Sequence, residues 1–186
     1  MATLCNAADR NYGQLELNKF AAPRTGRIEA QLPLDETVFS ATAPAQNGML
    51  LKVDYVAGHL TAAAPEADTD VFALNYTSEH IYDERTPGLK NFCTIPGEGM
   101  YCRVGFLEVG DKWTTNAVTY DTATWSDFAA IKSSKAAGTI YAGPGSAGYI
   151  ELTGSSAPSV GPVLVVEKCT TMPDGQPALK FAVVKA

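Results

Sequence analysis

The first clear pattern of hydrophobic and polar positions along the chain begins near residue 50. Residues 51–55 read Leu-Lys-Val-Asp-Tyr, so apolar and polar side chains alternate with the two-residue repeat of a strand that buries one face. Gly58 then predicts a turn, after which residues 59–64 provide a returning strand. A third strand is predicted over residues 70–77, directly after an acidic loop.

A second series of strand-like segments occupies the rest of the chain. Residues 100–109 and 112–120 are separated by a Gly-Asp break, and we predict that they pair as a hairpin. A Pro-Asp-Gly turn at 173–175 joins the last two strands. About nine short strands, spaced roughly ten residues apart, predict an all-β fold, either an antiparallel β-barrel or a β-sandwich. The later strands are predicted over residues 139–142, 149–152, 163–171 and 178–185.

Two segments of this second series lack the strand pattern. Residues 125–135 have a weakly helical pattern. Residues 143–148 read Gly-Pro-Gly-Ser-Ala-Gly and satisfy the glycine spacing of dinucleotide-binding loops, but such a site needs a helix after the glycines to hold the pyrophosphate. Because residues 149–152 have the pattern of a strand, we predict a glycine turn between antiparallel strands and no bound dinucleotide.

The beginning of the chain lacks this periodicity. Residues 1–45 contain three prolines among small residues, which interrupt any long helix or strand. We therefore predict an extended N-terminal arm over residues 1–45, with most of its contacts outside a single β-barrel or β-sandwich domain formed by residues 46–186. Within that domain, Pro-Gly pairs predict an irregular loop at residues 78–100.

Composition and charge exclude several classes of partner. Charged residues make up 18% of the chain, while 16 Gly and 11 Pro favour short strands over long helices. The net charge is −6 and the pI is near 4.9, so no overall basic field exists to bind phosphates, and we predict no nucleic-acid partner. The apolar runs are far shorter than the ~20 residues of a membrane-spanning helix, so no membrane partner is expected either.

The chain carries little recognisable catalytic or metal-binding chemistry. Its four cysteines, at positions 5, 93, 102 and 169, form no CxxC pair, and no secretory signal is visible, so we expect free thiols and neither metal nor cofactor. The acidic residues at 66, 68 and 70 lack the spacing of an EF-hand loop. His59 and His80 lie in no catalytic motif. We predict that the protein is not an enzyme, with a small hydrolase using His80 as base as an alternative.

Several segments resemble proteins of tailed-bacteriophage virions. The likeness extends over about residues 48–176 and is greatest to small capsid-associated proteins of the head decoration or cement class. The resemblance implies a non-enzymatic protein on the capsid surface, made in the host cytoplasm, that binds the major capsid protein, stabilises contacts between capsid subunits and can self-associate there. The segments that carry the likeness are residues 48–54, 74–83, 87–92, 104–116 and 171–175.

Two groups of residues are the expected partner-binding side chains. Arginines in the predicted arm suit acidic protein surfaces, and residues 78–100 mix aromatic and charged side chains in the way that interfaces do. An alternative function is a carbohydrate-binding or host-adhesion module of the virion, with Trp113 and tyrosines at 76, 82, 101, 120, 141 and 149 lining a sugar-binding face. The partner-binding residues are predicted to be Arg10, Arg24, Arg27, Tyr82, Arg85 and Phe92.

Overall fold

The computed structural model of the chain describes residues 1–5, 12–77, 93–97 and 101–186, without the side chain of Cys93. Within these residues the protein is a β-sandwich of two sheets, which confirms the predicted all-β class. A separate two-stranded ladder pairs β4 (Ala45–Gln46) with β8 (Cys93–Thr94). Among the described residues, the helices are α1 (Ala22–Thr25) and α2 (Phe128–Ala137).

The large sheet has eight strands in the order β1-β11-β13-β12-β14-β15-β10-β2. All of its pairs are antiparallel except β11 with β13, which run parallel with Val118 opposite Ile150. Its strands are β1 (Ala2–Thr3), β2 (Leu15–Lys19), β10 (Lys112–Thr115), β11 (Val118–Tyr120), β12 (Tyr141–Pro144), β13 (Ile150–Gly154), β14 (Val163–Thr171) and β15 (Pro177–Lys185).

The small sheet has five strands in the order β3-β9-β7-β5-β6, and all of its pairs are antiparallel. The described strands outnumber the predicted nine because several contain two residues only, which is too short for a periodic pattern to be visible. The strands of the small sheet are β3 (Ile28–Glu29), β5 (Leu50–Asp54), β6 (His59–Thr61), β7 (Phe72–Asn75) and β9 (Val104–Phe106).

The small sheet buries both of its faces. Leu50 and Leu74 belong to the larger core, together with Trp113 and Phe181 of the large sheet. The residues next to Leu50 and Leu74 along their strands face the other way and belong to a second core. Side chains from residues 32–45 cover this second core. Each fully buried aliphatic side chain contributes about 1.5–3 kcal/mol, so both layers stabilise the small sheet substantially. The second core contains Leu34, Phe39, Ala45, Leu51, Val53, Ala73 and Val104.

The prediction of an arm separate from the domain is corrected by this arrangement. β2 pairs with β10 in the large sheet, and β3 pairs with β9 in the small sheet. Leu34 forms a parallel bridge with Leu60 and, like Phe39, is almost completely buried. The described part of residues 1–45 therefore lies within the sandwich, because its scattered leucines and phenylalanines provide the apolar cover that the small sheet needs.

The predicted hairpin between residues 100–109 and 112–120 is also wrong. β9 belongs to the small sheet, whereas β10 lies in the large sheet between β15 and β2. The chain passes from one sheet to the other at the turn of Gly110. The φ of Gly110 is 93°, which lies in the left-handed region that glycine adopts without strain. A glycine turn therefore joins two layers here and not two neighbouring strands.

Other local predictions are confirmed. β14 and β15 pair on either side of the Pro-Asp-Gly turn, and β5 and β6 pair across the turn at Gly58. Residues 143–148 connect β12 to the antiparallel strand β13, as predicted for a glycine turn. α2 begins after Asp127, whose carboxylate accepts the N–H of Ala130 at 2.9 Å, and it packs against β14 with Ile131 fully buried.

Candidate protein-binding surface

The registers of the small sheet bring several turns to one end of the sandwich. Ala73 lies opposite Phe106, and Phe72 lies opposite Lys52. Because neighbouring strands are antiparallel, the last residues of β5 and β9 and the first residues of β3, β6 and β7 meet at this end. The large sheet adds the end of β15, where Val183 and Asp111 are hydrogen-bonded through their backbones.

Exposed apolar side chains gather at this end. Among the described residues, eight large hydrophobic side chains are exposed, and five of them lie here. A group of exposed apolar side chains at one end of a domain is typical of protein-binding sites. We call this surface the apolar end. Its members and their exposed fractions are Val56 at 100%, Val109 at 69%, Tyr55 at 61%, Val184 at 48% and Val71 at 37%.

The turn between β5 and β6 presents two of these side chains on a fixed backbone. The carboxylate of Asp54 accepts the N–H groups of Val56 at 2.9 Å and Ala57 at 2.8 Å, and these bonds lower the pKa of Asp54. The N–H of Gly58 donates to the Asp54 carbonyl at 2.8 Å. Tyr55 and Val56 are thus held in place before a partner binds, which reduces the entropy lost on binding.

The turn between β9 and β10 presents Val109 in a similar way. The buried carboxylate of Asp111 accepts the N–H of Ala21 at 2.9 Å through Oδ1 and the N–H of Glu108 at 2.9 Å through Oδ2. The N–H of Gly110 donates to the Val183 carbonyl at 2.9 Å. The Asp111 carboxylate therefore joins this turn to the start of α1. The backbone bond of Gly110 joins the same turn to β15.

Ion pairs lie on both sides of the apolar end. Arg24 and Arg27 lie on the side of β3, where the Arg27 guanidinium pairs with Glu108 at 2.6 Å. On the side of β5 and β6, the Lys52 ammonium pairs with Asp70 at 2.8 Å, and nearby Glu66 raises the pKa of Lys52 further. On the same side, the exposed carboxylate of Asp68 pairs with the Lys185 ammonium at 2.7 Å.

Asp70 holds the loop before β7 and gives a pH-dependent prediction. Its hydrogen bond to Lys52 and those from the N–H groups of Glu66 and Ala67 lower the pKa of Asp70 to about 2. A carboxyl whose pKa is lower in the folded than in the unfolded state stabilises the fold above its unfolded pKa near 4, and this contribution is lost as the pH falls towards 2. We expect Asp70→Asn to lower the urea midpoint at pH 6 and to differ little from wild type at pH 2. An equal difference at both pH values would contradict this role.

The structure describes two of the six predicted partner-binding residues, and it brings both to the apolar end. Arg24 is exposed beside Arg27 at the start of β3. The other four residues lie outside the described residues: Arg10, Tyr82, Arg85 and Phe92. The described residues that flank the predicted loop, Thr77 and Cys93, lie at the opposite end of the small sheet.

That opposite end is polar and well connected. The buried Gln46 side chain accepts the N–H of Gly13 at 2.5 Å and donates to the Tyr149 hydroxyl at 3.1 Å. Asn75 Nδ2 donates to the Gln46 carbonyl at 2.9 Å. Burial raises the pKa of the nearby Cys5 thiol to about 11, so this thiol stays protonated and is a poor nucleophile at neutral pH. The network ties the N-terminal residues to both sheets.

Of the two histidines, the structure describes His59. His59 Nε2 lies 3.6 Å from Asp35, whose carboxylate also accepts the hydroxyls of Thr37 and Thr61. His80 lies outside the described residues. No group of three His, Cys, Asp or Glu side chains that could hold a metal occurs in the part of the chain that the structure describes.

Trp113 and the described tyrosines of the predicted sugar-binding face occupy different environments. Trp113, Tyr76 and Tyr120 are buried in the larger core, where Phe20 packs edge-on against both Trp113 and Tyr76. Tyr101 is exposed, but it precedes β9 and therefore lies away from the apolar end. Tyr82 lies outside the described residues.

The sequence pattern did not reveal the apolar end. Tyr55 continues the alternation of β5 and was expected to be buried, but it lies in the turn after the strand. Val56 and Val109 each stand next to a turn that an aspartate stabilises. An aliphatic residue in a short turn that also contains an aspartate and a glycine is the signal that could have identified both.

Comparison with known proteins gave no relative from which a function could be transferred. No protein-family model matches the chain, and neither a curated protein nor a solved structure matches it. No helix among the described residues has the length and apolar character needed to span a membrane.

Proposed function

We propose that this protein is a non-enzymatic structural protein of a tailed-phage virion, which binds the outside of the capsid and stabilises contacts between major capsid subunits. The observation that carries the proposal is the apolar end: Tyr55, Val56 and Val109 are exposed on turns that hydrogen bonds hold rigid. Such a surface suits contact with another protein. The resemblance over residues 48–176 supplies the virion context.

The mechanism is stabilisation by mass action. A protein that binds the assembled shell and not its separated subunits lowers the free energy of the shell at every occupied site. Binding loses little free energy to ordering, because the turns between β5 and β6 and between β9 and β10 are already fixed before contact with the capsid. No covalent step is required.

The proposal is tested by co-sedimentation of the purified chain with capsids that lack it. We expect saturable binding, weakened at least tenfold by Val56→Asp because a charge would be buried against an apolar partner. Tyr101→Asp is the matched control, since it places the same charge on an exposed apolar position at the other end. Failure of the wild-type chain to bind, or equal loss in both variants, would refute the proposal.

A further inference from the structure

We infer that Asn47 is a deamidation site that the native fold protects, that it becomes reactive when the two sheets separate, and that its conversion prevents the chain from regaining its native stability. Asparagine is followed by glycine at one position of the sequence, residues 47 and 48. Glycine has no Cβ to shield its backbone nitrogen or restrict its backbone, which makes an Asn-Gly pair in an unfolded chain reactive. The inference goes beyond the proposed function and does not depend on it.

The reaction needs no reagent besides water. The backbone nitrogen of Gly48 loses its proton and attacks Cγ of Asn47, and the bond from Cγ to Nδ2 breaks as ammonia leaves with a proton. Water then opens the cyclic imide. Attack at Cγ yields aspartate, whereas attack at the main-chain carbonyl yields isoaspartate, in which the backbone continues through the side chain. Either product carries a carboxylate in place of the neutral amide.

In the native structure the attacking nitrogen is hydrogen-bonded. The N–H of Gly48 donates to the Asn75 carbonyl at 2.8 Å, and the N–H of Asn75 donates to the Met49 carbonyl at 2.9 Å. The Asn47 side chain belongs to a residue that is only 4% exposed. Removing the proton from a buried, hydrogen-bonded amide is unfavourable, because water cannot solvate the charge that forms. Ring closure therefore requires the turn between β4 and β5 to open.

This turn is packed between both sheets. Asn75 is the last residue of β7 in the small sheet, and its Nδ2 also donates to the Gln46 carbonyl at 2.9 Å. On the other side, Gly48 lies so close to Thr115 of the large sheet that a Cβ at position 48 would overlap the Thr115 hydroxyl. The turn cannot open while both contacts persist, so we expect its reactivity to follow the population of globally unfolded chain.

The product does not fit the native site. A carboxylate at position 47 would be buried, and an uncompensated buried charge is costly. The backbone is also crowded, because a Cβ on Gly13 would lie 2.5 Å from the Asn47 carbonyl oxygen, which leaves no room for the additional backbone carbon of isoaspartate. Each molecule that reacts while unfolded is thus removed from the folded population, and the stability of the fold determines how long the protein lasts.

The first test is peptide mass spectrometry of the purified full chain after incubation at mildly alkaline pH, in buffer and in urea. We expect deamidation of Asn47 in urea and conversion at least roughly a thousandfold slower in buffer, the lower end of folded-to-unfolded ratios for small domains. Asn18 is the internal control, since it is exposed but is followed by lysine, so its rate should differ much less between the two conditions. Equal rates at Asn47 in buffer and in urea would overturn the inference.

A pair of variants tests whether the sheets must separate. Asp111 accepts two backbone N–H groups at the opposite end of the sandwich from Asn47. Because closing is fast relative to deamidation, Asp111→Ala should raise the rate in buffer by the same factor as the unfolded population, roughly a hundredfold. The exposed Asp121→Ala should leave the rate near that of wild type. A destabilised Asp111→Ala chain that deamidates no faster than wild type would show that the turn opens locally and would overturn the inference.

Asn47→Asp reproduces one product and tests whether the modified chain fits the fold. Burial raises the pKa of a carboxyl above its unfolded value near 4, so the loss of stability is present at neutral pH and disappears as the pH falls below about 4. We expect a lower urea midpoint than that of wild type at neutral pH and a smaller difference near pH 3. Wild-type stability of this variant at neutral pH would contradict the inferred loss of the folded state.

Discussion

Replacing Gly48 with alanine is expected to lower the free energy of unfolding by about 3–5 kcal/mol, which corresponds to a fall in melting temperature on the order of 10 °C. Gly48 has a φ of 84°, a conformation that costs an L-residue about 1–2 kcal/mol. Its N–H also donates to the Asn75 carbonyl at 2.8 Å, so the backbone cannot easily move.

Steric overlap accounts for the larger part of this effect. A Cβ at position 48 would overlap Thr115 Oγ1 and lie 3.2 Å from the Ala117 Cβ. The buried Thr115 hydroxyl cannot rotate away without loss, because it donates to the Gln14 carbonyl at 2.6 Å and accepts the N–H of Ala117 at 3.0 Å.

The matched control for this prediction is Gly26→Ala. Gly26 has a similar φ of 74°, but no atom lies within 4 Å of the position that its Cβ would take. Its substitution should cost only the conformational strain, about 1 kcal/mol. Thermal and urea unfolding measure both variants, and equal losses would show that the contact with Thr115 is not the cause.

The second large effect is expected at Asp111. Asp111→Ala should destabilise the protein by about 3 kcal/mol, because it leaves the N–H groups of Ala21 and Glu108 without an acceptor in a site with little access to water. Asp111→Asn should cost less, since its amide keeps one acceptor. Urea unfolding at neutral pH provides the comparison.

Asp121 offers a matched control on the surface. Its carboxylate also accepts a backbone N–H, from Ala123 at 3.1 Å, and the Thr124 hydroxyl at 2.9 Å, but the residue is exposed. Water can replace these bonds in Asp121→Ala, so a much smaller change is expected. Comparable losses at the two positions would show that burial does not control the effect.

The parts of the fold that could be predicted are those determined by neighbouring residues. The turn at 173–175 lies between two nine-residue strands, and the turn at Gly58 joins strands with a visible pattern. The glycine turn at 143–148 was also predictable, because a strand follows it where a nucleotide-binding loop would need a helix. In each case the local sequence and its partner strand are close along the chain.

The remainder depends on contacts between distant residues. A Gly-Asp break at Gly110 has the same local appearance whether the chain returns to its own sheet or enters the other one. Leu34 and Phe39 have no periodic neighbours, and their burial becomes apparent only when the outer face of the small sheet is seen to need a cover. The apolar end depends on the strand registers in the same way, so its side chains could not be grouped from the sequence.

The division of strands between the sheets also has a consequence for folding during synthesis. Every strand of the small sheet lies within residues 28–106, so this layer can form while the ribosome is still translating the rest. The large sheet cannot form at that stage, because β10 pairs with β15 at residues 177–185. The early strands β1 and β2 pair with β11 and β10, so they have no partner until those later strands have been synthesised. The side of the small sheet that bears Leu50 and Leu74 stays uncovered until then, and the nascent chain is most open to aggregation or chaperone binding in that interval.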